Sequence, residues 1–211
     1  MKNYVQTAAN VDVFPLLFEL QRQPELWNRN PCRLSVKGPH HETEDIILRY
    51  KNERPHIEAA DWRGITDPHV PEWYESVDYL PASRPLIRNL MAGVQAEMLY
   101  GVFLYRIRPG KRIHPHTDTG WHAGHTDKFN ICIASNPQTR FEWPGDDEAM
   151  IQRPGDIHWF RNDSDHQVIN DGQSDHIVLT VCVRLDQGIR IPASPEGWTM
   201  DESQRRKHNL E

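Results

Sequence analysis

The sequence predicts an α+β chain, mainly β, with a few helices ahead of an all-β core. Three observations carry this. From residue 101 onward the chain breaks into short β-rich runs: VFLYRI (102–107), RIHPHTD (112–118), KFNICIAS (128–135), TRFEW (139–143), AMIQR (149–153), DIHWF (156–160), HQVIN (166–170) and HIVLTVCVR (176–184). Turn residues such as NP, PGDD, RPGD and NDGQ separate them at close spacing. Helical periodicity is confined to the first hundred residues. Many short strands so spaced close into a sandwich or barrel.

The elements follow in order. FPLLFELQRQ (14–23) reads as a short helix with Pro15 in its first turn. CRLSVKG (32–38) and DIILRYK (45–51) read as strands joined by the polar stretch PHHETE, whose His40 and His41 are expected to be solvated. Residues 53–82 hold four prolines and no clear period, so they read as a long surface excursion. SRPLIRNLMAGVQAEM (83–98) reads as a helix capped by Ser83, with Leu86, Leu90 and Val94 recurring along one face. Residues 189–211 are polar and expected to trail over the surface. All 211 residues are assigned to one domain: 1–100 packing on the core, 101–185 the core, 186–211 a tail.

Composition excludes several classes. Net charge is −6 and there is no Lys/Arg block, so a nucleic-acid partner is not expected. No apolar run approaches ~18 residues, so no membrane span is predicted. The first residues carry no apolar h-region and do not read as a signal peptide. The three cysteines are scattered without a CxxC; Cys132 and Cys182 fall in apolar runs and read as buried thiols. A cytoplasmic location is the expectation. Metal chemistry, if present, must then rest on histidine and carboxylate.

The stretch HPHTDTGWHAGHTDKF (114–129) packs four histidines and two aspartates into sixteen positions. Pro115 keeps this region extended, so alternation puts positions 114, 116 and 118 on one face. His116 and Asp118 can meet one cation. His166, opening a later β-run, is the candidate third ligand. Two histidines and one carboxylate form the facial set that leaves other positions open on non-haem Fe(II). His114 reads as a neighbour or substrate-facing group. His122 and His125 sit in the loop GWHAGH, expected as a mobile loop over the pocket mouth rather than an extra zinc site. His158 reads as a core histidine.

The blocks LYRIRPGKRIHPHTD, KFNICI, RPGDIHWFRNDSDHQVIN and HIVLTVCVR, in that order, resemble the aspartyl/asparaginyl β-hydroxylase-like group of Fe(II)/2-oxoglutarate dioxygenases. The resemblance covers residues 100–185. It implies a double-stranded β-helix (jelly roll, cupin-like) core, Fe(II) and 2-oxoglutarate as cofactors, and O2 as co-reactant. It places the metal ligands on His116, Asp118 and His166. A basic residue expected on the last core strand falls on His176, the family's second arginine position on Lys128, and a hydroxyl position on Tyr105. Alternation puts Lys128 and Asn130 on one strand face, and His176, Thr180 and Arg184 on one face of another.

His176 departs from the family pattern. Arginine grips a carboxylate with a fork of two bonds, whereas histidine offers one per nitrogen and is charged part of the time. Either Lys128 carries the charge with help from His176, or Arg184 reaches in, or 2-oxoglutarate is not used. Trp121, Trp143 and Trp159 are placed to wall the site, Trp159 more simply as core. Arg49 is available to grip an acidic substrate, with His114, His122 and Trp121 as further candidates. The resemblance implies hydroxylation of an aliphatic carbon in an Asp/Asn-like residue, a peptide, a protein or a small acid. The competing expectations are a cupin-like isomerase or lyase, or a binding module, neither using 2-oxoglutarate.

Overall fold

The computed structural model describes residues 3–30, 38–61, 63–64 and 68–185. Cys32, all but the last residue of the strand expected at 32–38, and the tail lie outside the described residues.

Ten strands run β1 (Tyr4–Ala8), β2 (Glu44–Tyr50), β3 (Glu72–Trp73), β4 (Ala96–Ile107), β5 (Arg112–His116), β6 (Asp127–Ala134), β7 (Thr139–Glu142), β8 (Ile157–Phe160), β9 (His166–Asn170) and β10 (His176–Leu185). Helices are α1 (Phe14–Arg22), α2 (Arg54–Ala59), α3 (Ser76–Tyr79), α4 (Ser83–Gly93) and α5 (Gly120–His125), with a 3-10 turn at Pro24–Leu26. Two antiparallel sheets form, ordered β1-β8-β6-β10-β4-β2-β3 and β5-β9-β7. From β4 to β10 each successive strand changes sheet, which is the winding of a double-stranded β-helix. The jelly roll is therefore present.

The large sheet is buried on both faces, so its strands are continuous apolar runs rather than alternating ones. One face, with Leu104, Phe129, Ile131, Leu179 and Val181, packs against Leu16 and Leu20 of α1 and Leu86, Ile87 and Leu90 of α4. The other face turns Ile47, Phe103, Tyr105, Val178 and Cys182 toward the small sheet. Ile113, Phe141, Met150, Phe160 and Val168 close one end of the space between the sheets. Cys132 and Cys182 are fully buried thiols outside any disulfide, as expected.

Several local expectations are corrected. Residues 53–82, read as a long surface excursion, carry α2, β3 and α3; α2 and β3 do lie on the surface, while Val77 and Leu80 are buried and anchor the α3 end. α4 stops at Gly93, and Gln95 takes a positive φ of 52° before β4 begins at Ala96. Ser83 does not cap α4 with its side chain; its hydroxyl donates to the Leu80 carbonyl. AMIQR is not a strand but a single bridge, Met150 to Phe141. GWHAGH is the short helix α5, not an open loop. β1 has no counterpart in the sequence reading; it pairs along β8. No helix among the described residues is long and apolar enough to cross a membrane.

Candidate metal centre

β5 and β9 bring the metal-type residues together. Their antiparallel register sets His116 opposite His166, after an irregularity between Ile113 and His116. Pro115 lacks an N–H for the ladder. His114, just before it, donates its N–H to the Pro39 carbonyl instead. Asp118 is fixed by its backbone N–H, which donates to the Asn162 carbonyl at 3.1 Å.

Both histidines are set by the same device. His116 Nδ1 donates to the His114 carbonyl at 2.8 Å, and His166 Nδ1 donates to the Ser164 carbonyl at 2.9 Å. With Nδ1 engaged in that bond, Nε2 is in each ring the nitrogen presented to a cation. His116 Nε2 lies 3.7 Å from Asp118 Oδ1, and His166 Nε2 lies 3.9 Å from Asp118 Oδ2. Ligands at adjacent corners of an octahedral ion sit roughly 3 Å apart, so a small closure completes the set. Phe141 stacks on His166 at 5.5 Å, which holds the ring from behind.

Lys128 Nζ lies 2.5 Å from Asp118 Oδ2. Burial disfavours the Asp118 charge. The Lys128 ammonium, assisted by the two imidazoles, outweighs burial and holds the carboxyl well below the usual carboxylate range. Burial lowers the His166 pKa to about 4 against the pull of Asp118, so its ring is neutral and able to ligate at pH 7.

A cavity of about 190 Å³ opens on this cluster, lined among others by Tyr105, Lys128, Asn130, Gln152, His176 and Thr180. That is below the roughly 300–1,000 Å³ of drug-sized sites, and suits a small acid. Thr180 Oγ1 donates to Asn130 Oδ1 at 2.7 Å, joining β10 to β6. His176 is 1 % exposed, its Nδ1 lies 2.9 Å from Ser135 Oγ, and burial lowers its pKa to about 4. It faces the cavity as a neutral ring. Gln152 was not anticipated from sequence. It is 4 % exposed, and neither amide atom makes a hydrogen bond. A buried unpaired amide costs about 1–3 kcal/mol, so this group fits an oxygen-bearing ligand in the cavity.

No family model matches the chain, and no curated protein matches it. Solved structures do. A 2OG-Fe(II) oxygenase family oxidoreductase from Burkholderia pseudomallei superposes with a TM-score of 0.55 at 13% identity, covering 86% of this chain and 85% of its own. The chain shares that protein's fold. A prolyl-4-hydroxylase from Pseudomonas putida (TM-score 0.49, 16% identity, 88% and 94% covered) is also similar. So is a viral collagen prolyl hydroxylase from Paramecium Bursaria Chlorella virus-1 (TM-score 0.49, 10% identity, 88% and 97% covered).

Within that fold some expected site residues stand elsewhere. Arg184 has the right strand parity but lies beyond the cavity, past an irregularity at Val181/Val183; its Nε donates to Glu97 at 2.9 Å on the surface. Arg49 lines a separate surface depression and lies over the Trp73 ring at 5.1 Å. His114 turns away from the cavity toward Glu42 and stacks on His41 at 4.6 Å. His122 does line the cavity, whereas Trp121 packs behind it on Tyr100 and His125. Trp143 lies behind Phe141, and Trp159 and His158 are core, both as expected. His40 is not simply solvated: it lines the cavity, 5.6 Å from the Tyr105 ring and 5.0 Å from His116. The only hint in the sequence was its place in PHHETE, ahead of the core.

Proposed function

We propose that the protein is an Fe(II)/2-oxoglutarate-dependent oxygenase that hydroxylates an aliphatic carbon. One observation carries the reading: His116, Asp118 and His166 converge at the mouth of a jelly roll, on a cavity that also holds Lys128 and an unpaired Gln152 amide. The donor set suits Fe(II) and leaves positions open for a chelating 2-oxo acid. Bound together, Fe(II), 2-oxoglutarate and O2 supply the oxidation that turns C–H into C–OH, with succinate and CO2 released.

The chain's own residues do the rest. Two fixed imidazoles and Asp118 present the metal-binding face. Lys128 is the sole lysine or arginine among the described residues lining the cavity, so it would meet the far carboxylate of 2-oxoglutarate. Asn130, His176, Tyr105 and Gln152 would supply neutral hydrogen bonds around it. Phe103, Phe141, Phe160 and Val178 keep the cavity dry, which strengthens each polar contact inside. His40, Tyr50 and His122, which also line the cavity, would meet the substrate. The substrate class we assign is an Asp/Asn-like residue, a peptide or a small acid, on the resemblance of residues 100–185 to the aspartyl/asparaginyl β-hydroxylase-like group.

The test is anaerobic titration with Fe(II) and then 2-oxoglutarate, followed by succinate release in air. A weak visible charge-transfer band that needs both additions, and is absent in His166→Ala, is the expected result. The absence of an arginine among the described cavity residues favours one second reading, a cupin-like metalloprotein that does not use 2-oxoglutarate. Fe(II) binding with no band and no succinate would establish it in place of the first.

A further inference from the structure

A second cluster of ligating side chains lies outside the cavity. His41 and Glu42, in the turn before β2, meet His114 of β5. Glu42 Oε1 is 3.6 Å from His114 Nε2 and 4.0 Å from His41 Nε2. Donors bonded to a tetrahedral cation at about 2.0–2.1 Å sit roughly 3.3 Å apart, so the Glu42 carboxylate is within a small closure of both rings; the two imidazoles, stacked at 4.6 Å with an interplanar angle of 10°, would turn toward each other to share the ion. His41 Nδ1 donates to the Gly38 carbonyl at 2.8 Å, so Nε2 is the ring nitrogen left to face Glu42. His114 Nε2 is shielded from solvent and makes no hydrogen bond. A buried ring nitrogen without a hydrogen-bond partner, 3.6 Å from a carboxylate oxygen, is placed where a cation between the two would satisfy both. The two segments are already tied by the His114 N–H to Pro39 carbonyl bond at 2.9 Å.

The geometry points to a second metal site, for Zn(II) or a similar borderline divalent ion, held by His41, Glu42 and His114 with water completing the shell. Two imidazoles and one carboxylate suit such an ion and not Ca(II) or Mg(II), which prefer all-oxygen shells. The site has a structural consequence. The turn it pins to β5 carries His40, whose ring lines the cavity beside His116. Metal at the second site would hold this wall of the first.

The test uses the full chain with the first site removed by Asp118→Ala and His166→Ala. Zn(II) alone is titrated against a competing chelator. This host is expected to bind one equivalent, and His41→Ala, Glu42→Gln or His114→Ala to weaken it by at least about tenfold. His41 is exposed and Glu42 half-buried, and near-UV circular dichroism of each variant checks that the fold is kept. No binding by the host would overturn the proposal. So would Zn(II) affinity unchanged by His41→Ala and Glu42→Gln, or loss of binding on His122→Ala instead.

Discussion

Lys128 and Asp118 form a half-buried ion pair, Nζ to Oδ2 at 2.5 Å, at the border between the metal cluster and the cavity. The ammonium would thus face two sites of opposite demand. A divalent cation at Asp118 is repelled by it, and a carboxylate in the cavity is attracted. Even at an effective dielectric near 20, a dication within about 4–6 Å of an ammonium is opposed by several kcal/mol. The hydrogen bond that Lys128 gives Asp118, as an outer partner of a ligand, is worth about 1–3 kcal/mol.

Lys128→Met should therefore move the two affinities in opposite directions. Fe(II) or Mn(II) binding should tighten, because repulsion exceeds the lost hydrogen bond. The apparent 2-oxoglutarate affinity should fall by at least about tenfold, since a charged hydrogen bond contributes about 1.5–3 kcal/mol. Metal titration and 2-oxoglutarate-dependent succinate release measure the two. Both affinities falling together would show that Lys128 only organises Asp118.

The histidine pair makes a second, sharper prediction about orientation. His116 and His166 are aligned by carbonyls two residues upstream, so each Nε2 would be the ligand atom. His166→Ala and Asp118→Ala should each abolish metal-induced thermal stabilisation. His166→Gln should rescue it at most weakly, since the amide nitrogen lone pair is delocalised and the neutral amide oxygen is a poorer donor than imidazole and sits on a longer side chain. A shift in melting temperature with Mn(II) that persists in His166→Ala would remove His166 from the ligand set.

Part of this candidate ligand set was legible because its spacing is local: His116 ends β5 and Asp118 follows two residues later, whereas His166 is brought opposite by β9. The β-core was legible for a similar reason, as runs such as HIVLTVCVR have no helical reading of comparable strength. What stayed hidden depends on packing across distance. Arg184 had the correct alternation, yet register irregularities carry it past the cavity to Glu97. His40 looked solvated because nothing local shows that its turn folds over Tyr105 and His116. Gln152 sits just beyond a single bridge, not in a strand, so no period pointed it inward. β1 was missed because YVQTA becomes a strand through β8, more than 150 residues away.

His176 predicts a pH dependence of stability. Its folded pKa is lowered to about 4 by burial, against an unfolded value of 6.5. Between these values the unfolded chain binds a proton and the folded chain does not, so stability rises with pH across the window. The contribution is fully present above 6.5 and is lost as pH falls toward 4. Its size is about 3 kcal/mol, at 1.36 kcal/mol per unit. His176→Gln should give a shallower loss of unfolding free energy from pH 6.5 to 4 in urea titrations with chelator present. An unchanged slope would mean that His176 is not the buried neutral group responsible.

Gln152 gives the prediction that most directly separates a ligand-binding cavity from an inert one. Its buried amide has no hydrogen-bond partner, so without ligand it costs stability rather than adding it. Leucine is close in volume and has no polar atoms to leave unpaired. Gln152→Leu should therefore raise the melting temperature of the ligand-free protein, consistent with removal of about 1–3 kcal/mol of desolvation penalty. If the amide waits for an oxygen of 2-oxoglutarate or substrate, the same change should shrink the stabilisation that 2-oxoglutarate and Mn(II) together confer. Differential scanning fluorimetry of both proteins, with and without ligands, reads both effects at once. A more stable variant with undiminished ligand response would leave Gln152 a cavity wall. A less stable variant would show that the amide has a partner, because lost hydrogen bonding then outweighs the relief of desolvation.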